Sequence, residues 1–274
     1  MARALPGLWK RGFSSATAAD PVYVIFGATG GIGGALSEQL AAQPGARLLL
    51  SGRDDAKLAA TAERAAAAAA GPSTVGTAAA DPLDPAAVEA VLAEAVARHG
   101  RVDGVANCVG SVILKSAHAT SFQEFEDTLR INLLSSFGVL RAAAKVMMRR
   151  DNGPGGSIVF CSSAVARHGI PNHEAIAAAK GGIAAMALSA AATYAPKNIR
   201  VNCVAPGLTR TPMTAKITSS EAALKASTAL HALKRIGEPG EVAAAIAFLL
   251  DKRNSFITGQ VLAVDGGLGS VRSV

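Results

Sequence analysis

Short runs of Val, Ile and Leu, each bounded by turn residues, recur at 22–26, 47–51, 74–78, 103–107, 156–161, 199–204 and 260–264, with long Ala-rich segments between them. Brief, near-continuous apolar runs of this kind fit strands buried on both faces. Seven of them alternating with helices predict one parallel sheet. Crossovers between parallel strands are right-handed, and the first strand here runs into glycines. The economical architecture is therefore a single α/β domain over 20–274, a doubly wound Rossmann-type sheet with helices on both faces and ligand sites at the carboxyl ends of the strands. The Ala-rich stretch 56–70 is expected to be an outer, solvent-flanked helix, and 121–148 and 172–195 to be long helices.

Composition adds constraints. With 274 residues, half of them apolar, the chain can bury one large core. Only 4% of residues are aromatic, so Ala, Val, Ile and Leu must fill that core. No apolar run is expected to reach membrane-spanning length, which predicts a soluble protein without membrane contact. Residues 1–19 differ from the rest: Arg3, Lys10 and Arg11 are basic, no acid precedes Asp20, and Ser14, Ser15 and Thr17 supply hydroxyls. That composition reads as an organelle presequence, and the segment RGFSS resembles the cleavage region of mitochondrial presequences. The mitochondrial matrix is the expected location, with the plastid second. Removing the three positive charges of that segment from the formal +7 leaves +4. There is no basic stripe of the kind nucleic acid demands. Cys108, Cys161 and Cys203 show no metal-ligand spacing, no metal site is expected, and an odd number cannot all pair. Each is expected to pack as a small buried thiol near the end of a strand.

The strand VYVIF leads into Gly27-Ala28-Thr29-Gly30-Gly31-Ile32-Gly33, which opens an amphipathic helix through Leu36 and Leu40. Glycines let the backbone turn sharply and approach a pyrophosphate, while unpaired amides and the helix dipole meet its charge. In this strand-turn-helix setting the turn predicts a dinucleotide site. The second strand ends Leu50-Ser51-Gly52-Arg53. A carboxylate there would hold the ribose hydroxyls of NAD(H). Gly52 cannot, whereas Arg53 can pair with a 2′-phosphate, so NADP(H) is favoured. Arg53 read instead as a solvated loop charge before the helix cap Asp54 is the alternative.

These motifs and those downstream resemble, over the whole chain after the presequence, the short-chain dehydrogenase/reductase family, and within it reductases related to 3-oxoacyl-carrier-protein reductase. The family's TGxxxGxG is matched from Gly27 to Gly33, with Phe26 replacing the threonine. Asp81 in DPLD stands where the family's aspartate contacts the adenine amino group. Asn107 and Gly110 survive from the strand end NNAG. Asn132 in RINLL matches the asparagine that supports the family's proton relay, Ser163 in VFCSSAVA the substrate-orienting serine, and Lys180 the lysine of the same set. Pro206-Gly207 through Thr211 resembles the segment that positions the nicotinamide carboxamide, and FITGQVLAVDGG the last strand. The resemblance implies a homodimer or homotetramer paired through 121–148, 172–195 and the last strand, while the small residues of those helices would equally suit burial inside one subunit.

In the family's spacing a tyrosine stands thirteen residues after the serine and four before the lysine. Both counts lead to Ile176. The resemblance implies that a tyrosine phenol there would protonate the substrate carbonyl as hydride arrives, with the lysine lowering its pKa. Isoleucine can do neither. Tyr23 lies in the first strand, and Tyr194 would be about 20 Å from Lys180 at helical rise. His173, three residues before Ile176, is the nearest titratable candidate, with His168 second and Glu174 on the flank. Helix-start chemistry, with Asn172 as N-cap, is the competing reading of that cluster. Two functions remain open: an oxidoreductase acting on a carbonyl substrate with an atypical proton donor, or a catalytically silent nucleotide-binding subunit of a hetero-oligomer or mitochondrial complex. RNA binding in the cleft is disfavoured without an aromatic platform. Segment 208–232 should cover the cleft.

Overall fold

The computed structural model describes residues 20–69, 71, 73–149 and 155–271. The expected presequence, 1–19, lies outside them. The seven strands are β1 (Val22–Phe26), β2 (Arg47–Gly52), β3 (Thr74–Ala79), β4 (Gly104–Asn107), β5 (Gly156–Cys161), β6 (Ile199–Pro206) and β7 (Val261–Val264). All pair in parallel in the order β3-β2-β1-β4-β5-β6-β7. The expected boundaries shift by no more than two residues. β1 is buried along its whole length, and its side chains alternate between two cores. Val24 and Phe26 join Val88, Leu92, Val139 and Ile183 on one face, while Tyr23 and Ile25 join Leu36, Leu40, Leu58 and Ile246 on the other.

The first face is covered by α3 (Pro85–His99), α5 (Ser135–Met147) and α6 (Glu174–Tyr194), the second by α1 (Gly31–Ala41), α2 (Asp55–Ala67) and α9 (Pro239–Leu250). α2 buries only Leu58, Thr61 and Ala65, as an outer helix should, and the Asp54 carboxylate caps it by accepting from Lys57 N at 3.1 Å. The short helices α7 (Ala215–Thr218) and α8 (Glu221–Leu230) lie in the segment expected to cover the cleft.

Three expectations change. The long helix expected at 121–148 is built as α4 (Phe122–Leu129), a wider π-type turn at Arg130–Leu134, and α5. Asn172 does not cap α6. It adopts φ +63, so the helix starts one residue later, with His173 in the N-cap position making no side-chain cap. The segment Glu174–Lys197 is long and apolar enough to cross a bilayer by length and composition, contrary to expectation. Its Ala-rich sequence explains this, and its Ile183, Ala187, Ala190 and Ala191 are instead buried in the core.

Candidate active site

The chain turns away to opposite sides of the sheet after β1 and β4, neighbours in the sheet, and their carboxyl ends open a crevice there. The glycine turn follows β1. Gly27 has φ +75, and a Cβ on it would come within 2.8 Å of the Cys108 carbonyl carbon. A Cβ on Gly33 would collide with the Gly27 carbonyl. The N-cap of α1 is Gly30, which carries no capping side chain, and the first turn holds no acid. The helix therefore presents its amides and positive dipole end to the crevice. Thr29, Gly31, Ile32 and Gly33 line a cleft of about 310 Å³.

From the other side, Pro206, Gly207 and Thr211 reach the same cleft. The Thr211 side chain lies within 2.9 Å of where a Gly31 Cβ would stand, so this segment folds directly over the glycine turn. His231, to which the sequence assigns no role beyond a place in the segment expected to cover the cleft, fastens it down. Its Nε2 accepts from Leu208 N at 3.2 Å while its Nδ1 lies 2.7 Å from Ser227 O, so both ring nitrogens of this buried imidazole are engaged.

Lys180 projects from α6, buried, and its Nζ donates to Cys161 O at 2.9 Å. Burial holds its pKa below the usual lysine value, with the neighbouring cysteines opposing. No carboxylate among the described residues pairs with it within 4 Å. An ammonium has three donor hydrogens, and among the described residues this one has a single protein acceptor, the Cys161 carbonyl. A buried cation so placed favours a ligand with hydroxyl or anionic oxygens.

Asn132 lies in the π-type turn, fully buried. Its Nδ2 donates to Ser111 Oγ at 3.0 Å and Thr128 O at 2.9 Å, and its Oδ1 accepts from Ser111 N at 3.2 Å. Ser111 lines the cleft, so Asn132 acts on the site through it. Asn107, also buried, donates from Nδ2 to Ser136 Oγ at 3.0 Å and accepts from Val109 N at 3.2 Å. It shapes the loop carrying Gly110 rather than facing a ligand directly.

Ser163, Ile176 and His173 line the cleft together with Lys180. Ser163 Oγ also accepts from Val165 N at 3.3 Å, capping the short turn Ala164–Ala166. Ile176 is buried. His173 Nδ1 lies 2.7 Å from Pro171 O, so the proton sits on Nδ1 and Nε2 is the nitrogen left for other chemistry. The structure does not bring His168 to the cleft wall. Its ring abuts Gly269 near the end of the chain, because the turn after Ser163 carries it outward. Glu174 is exposed and outside the cleft wall. Arg53 and Asp81 are exposed beyond the ends of β2 and β3, and Asp81 Oδ1 accepts from Leu83 N at 2.9 Å.

A glycine turn at a helix start, a buried lysine and a cleft at the switch between β1 and β4 define a dinucleotide-binding α/β protein. The chain belongs to the short-chain dehydrogenase/reductase family: the family described as enoyl-(acyl carrier protein) reductase matches residues 27–269. It is similar to the 3-oxoacyl-(acyl-carrier-protein) reductase FabG of Thermotoga maritima, 37% identical over 183 residues, 66% of this chain and 72% of that one. It also resembles an inactive 2-(S)-hydroxypropyl-CoM dehydrogenase 2 of Xanthobacter autotrophicus, 34% identical over 239 residues, 84% of this chain and 98% of the relative. Among solved structures, an actinorhodin polyketide ketoreductase with NADPH superposes with a TM-score of 0.84 at 27% identity, covering 92% of this chain and 98% of that one.

Proposed function

We propose that this protein is an NADP(H)-dependent oxidoreductase acting on a carbonyl substrate, with His173 in place of the family's usual phenol. The observation that carries the reading is the convergence of the glycine turn, Lys180 and Ser163 on one cleft. Bound NADP(H) supplies or accepts the hydride. Gly31, Ile32 and Gly33 meet its diphosphate with backbone amides, Arg53 favours the 2′-phosphate, and Asp81 is available to the adenine amino group. Lys180 offers two donor hydrogens to ribose hydroxyls. Ser163 Oγ donates to the substrate oxygen and fixes its orientation. His173 Nε2, protonated, delivers the proton to that oxygen as it gains electron density, and Nδ1–H keeps the ring oriented on Pro171 O. The apolar wall provided by Ile176 keeps water from the reacting carbon.

The test is NADPH oxidation by the full chain with 3-oxoacyl thioesters, quinones and small ketones. Turnover should fall by about 10²-fold or more in His173→Gln while NADPH affinity holds. No turnover above an Arg53→Ala/Lys180→Ala double variant, despite cofactor binding by the parent, overturns the reading.

The second reading, a catalytically silent nucleotide-binding subunit, is favoured by Ile176 and by the similarity to a relative whose name marks it inactive. It requires a stoichiometric partner subunit bearing the tyrosine, or a large complex, to copurify, and an isolated homotetramer counts against it. Either reading fits an oligomer. Leu134 and Phe137 before and on α5 and Leu188 on α6 are exposed apolar side chains on the helices expected to pair, and a homodimer or homotetramer would cover them.

A further inference from the structure

β4 and β5 run in register as far as Asn107 and Phe160. The next residue on each is a cysteine, Cys108 and Cys161. Neighbouring strands lie about 4.8 Å apart, inside the roughly 4.4–6.8 Å Cα separation that a disulfide spans. Strand alternation points both side chains to one face: Ala106 and Val159, two residues earlier, belong to the core beneath α1 and α9, and Cys161 and Cys108 continue it. Both cysteines line the cleft, and both are free thiols. Cys203 is set apart on the opposite face. Its sulfur lies 3.9 Å from Ile183 O, and burial pushes its thiol up to about 12.

We infer that Cys108 and Cys161 are a redox-active dithiol in the wall of the cleft, oxidised by a hydroperoxide to a disulfide that weakens nucleotide binding. Contact with the Cys108 thiol lowers the Cys161 pKa, and the nearby Lys180 charge acts in the same direction against burial. Lys180 Nζ donates to the Cys161 carbonyl at 2.9 Å, so the cation is held on this residue, and Cys161 serves as the attacking thiolate. It takes one peroxide oxygen as the O–O bond breaks, and the departing hydroxide or alkoxide is protonated, leaving Cys161 as a sulfenic acid. The Cys108 sulfur, whose thiol is pushed up by Cys161 and by burial, then attacks the Cys161 sulfur. The S–S bond forms, the S–O bond breaks, and the Cys108 proton leaves with hydroxide as water. Two thiols are oxidised by two electrons and one peroxide is reduced.

The backbone of this pair supports the cleft. Gly27 packs so closely on the Cys108 carbonyl that no Cβ fits between them, and the Cys161 carbonyl is the protein anchor of Lys180. Drawing the two sulfurs to about 2.05 Å pulls on the glycine turn and the lysine anchor together. This effect on binding rests on the nucleotide reading of the cleft, whereas the crosslink itself does not.

The experiment treats the full-length protein with hydrogen peroxide, maps cysteines by differential alkylation and mass spectrometry, and titrates NADPH by fluorescence before and after dithiothreitol. A linked Cys108–Cys161 peptide, an NADPH affinity reduced about tenfold, and recovery on reduction are expected. Cys203→Ser should respond as the parent does, and Cys108→Ser should lose the response. Separate alkylation of both cysteines after oxidation, or unchanged affinity in a protein shown to be crosslinked, overturns the inference. Should the variants fail to fold, mapping of the parent still decides it. A reduced protein that binds no NADPH counts against the proposed function, and the linked peptide then judges the dithiol alone.

Discussion

Gly110 leaves Lys180 its place: a Cβ on this glycine would stand 3.1 Å from Lys180 Nζ and 2.9 Å from Asn132 Oδ1. The loop after β4 thus passes between the two polar groups that the sequence assigned to one site, and only hydrogen fits there.

Gly110→Ala is expected to displace the Lys180 ammonium and weaken NADPH binding about tenfold, roughly 1.4 kcal/mol. Fluorescence titration checks it, with circular dichroism confirming the fold. Unchanged affinity would mean that the lysine head group does not contact the nucleotide.

Lys180→Met should abolish nucleotide binding yet stabilise the fold without ligand. Because burial sets the folded-state pKa below the unfolded one, the penalty is fully present below the folded pKa. As pH rises from there toward the unfolded value, the unfolded state holds more protons and the parent gains stability. The advantage of Met, about 1–3 kcal/mol at its largest, should therefore shrink as pH rises. Thermal melts of both proteins from pH 6 to 10 measure it, and a gap constant across that range contradicts it.

Arg53→Asp is expected to reverse cofactor choice. An exposed arginine beyond β2 can pair with a 2′-phosphate, and a carboxylate repels it while accepting from ribose hydroxyls. The ratio of NADP(H) to NAD(H) affinities should fall at least tenfold. An unaltered ratio would make Arg53 a solvated loop charge.

Ile176→Tyr places a phenol in the wall shared with Ser163 and Lys180. Turnover of a 3-oxoacyl thioester should rise about 10²-fold. In that background His173→Gln should lose most of its effect, since the two groups would supply the same proton.

The strands were legible because β1, β2 and β4 to β6 are buried on both faces, which leaves uninterrupted apolar runs between glycines and charges. Cofactor-cleft residues were legible for a related reason: Gly27 and Gly33 sit where backbone approaches backbone, and only glycine fits. The turn that carries Asn132 was not legible, because a π-type turn uses the same residues as an α-helix and differs only in hydrogen-bond partners. Asn172 was misassigned as the cap of α6, since an asparagine serves equally in a cap and in the left-handed conformation found here. The pairing of Cys108 with Cys161, 53 positions apart in the numbering, depends on strand register, which no local pattern encodes. His231 drew little notice because its partners, Leu208 N and Ser227 O, are backbone atoms.

The π-type turn at Arg130–Leu134 amounts to one residue more than an α-helix of the same rise would need. Deleting a single residue there would leave the helical phase of α4 and α5 intact, while losing any other residue from either helix would rotate its remainder by about 100°. The helix therefore carries a removable unit at the position that presents Asn132. A lineage could shed that unit and keep its fold while losing its site, so chain length at this point separates inheritance of the scaffold from inheritance of the chemistry.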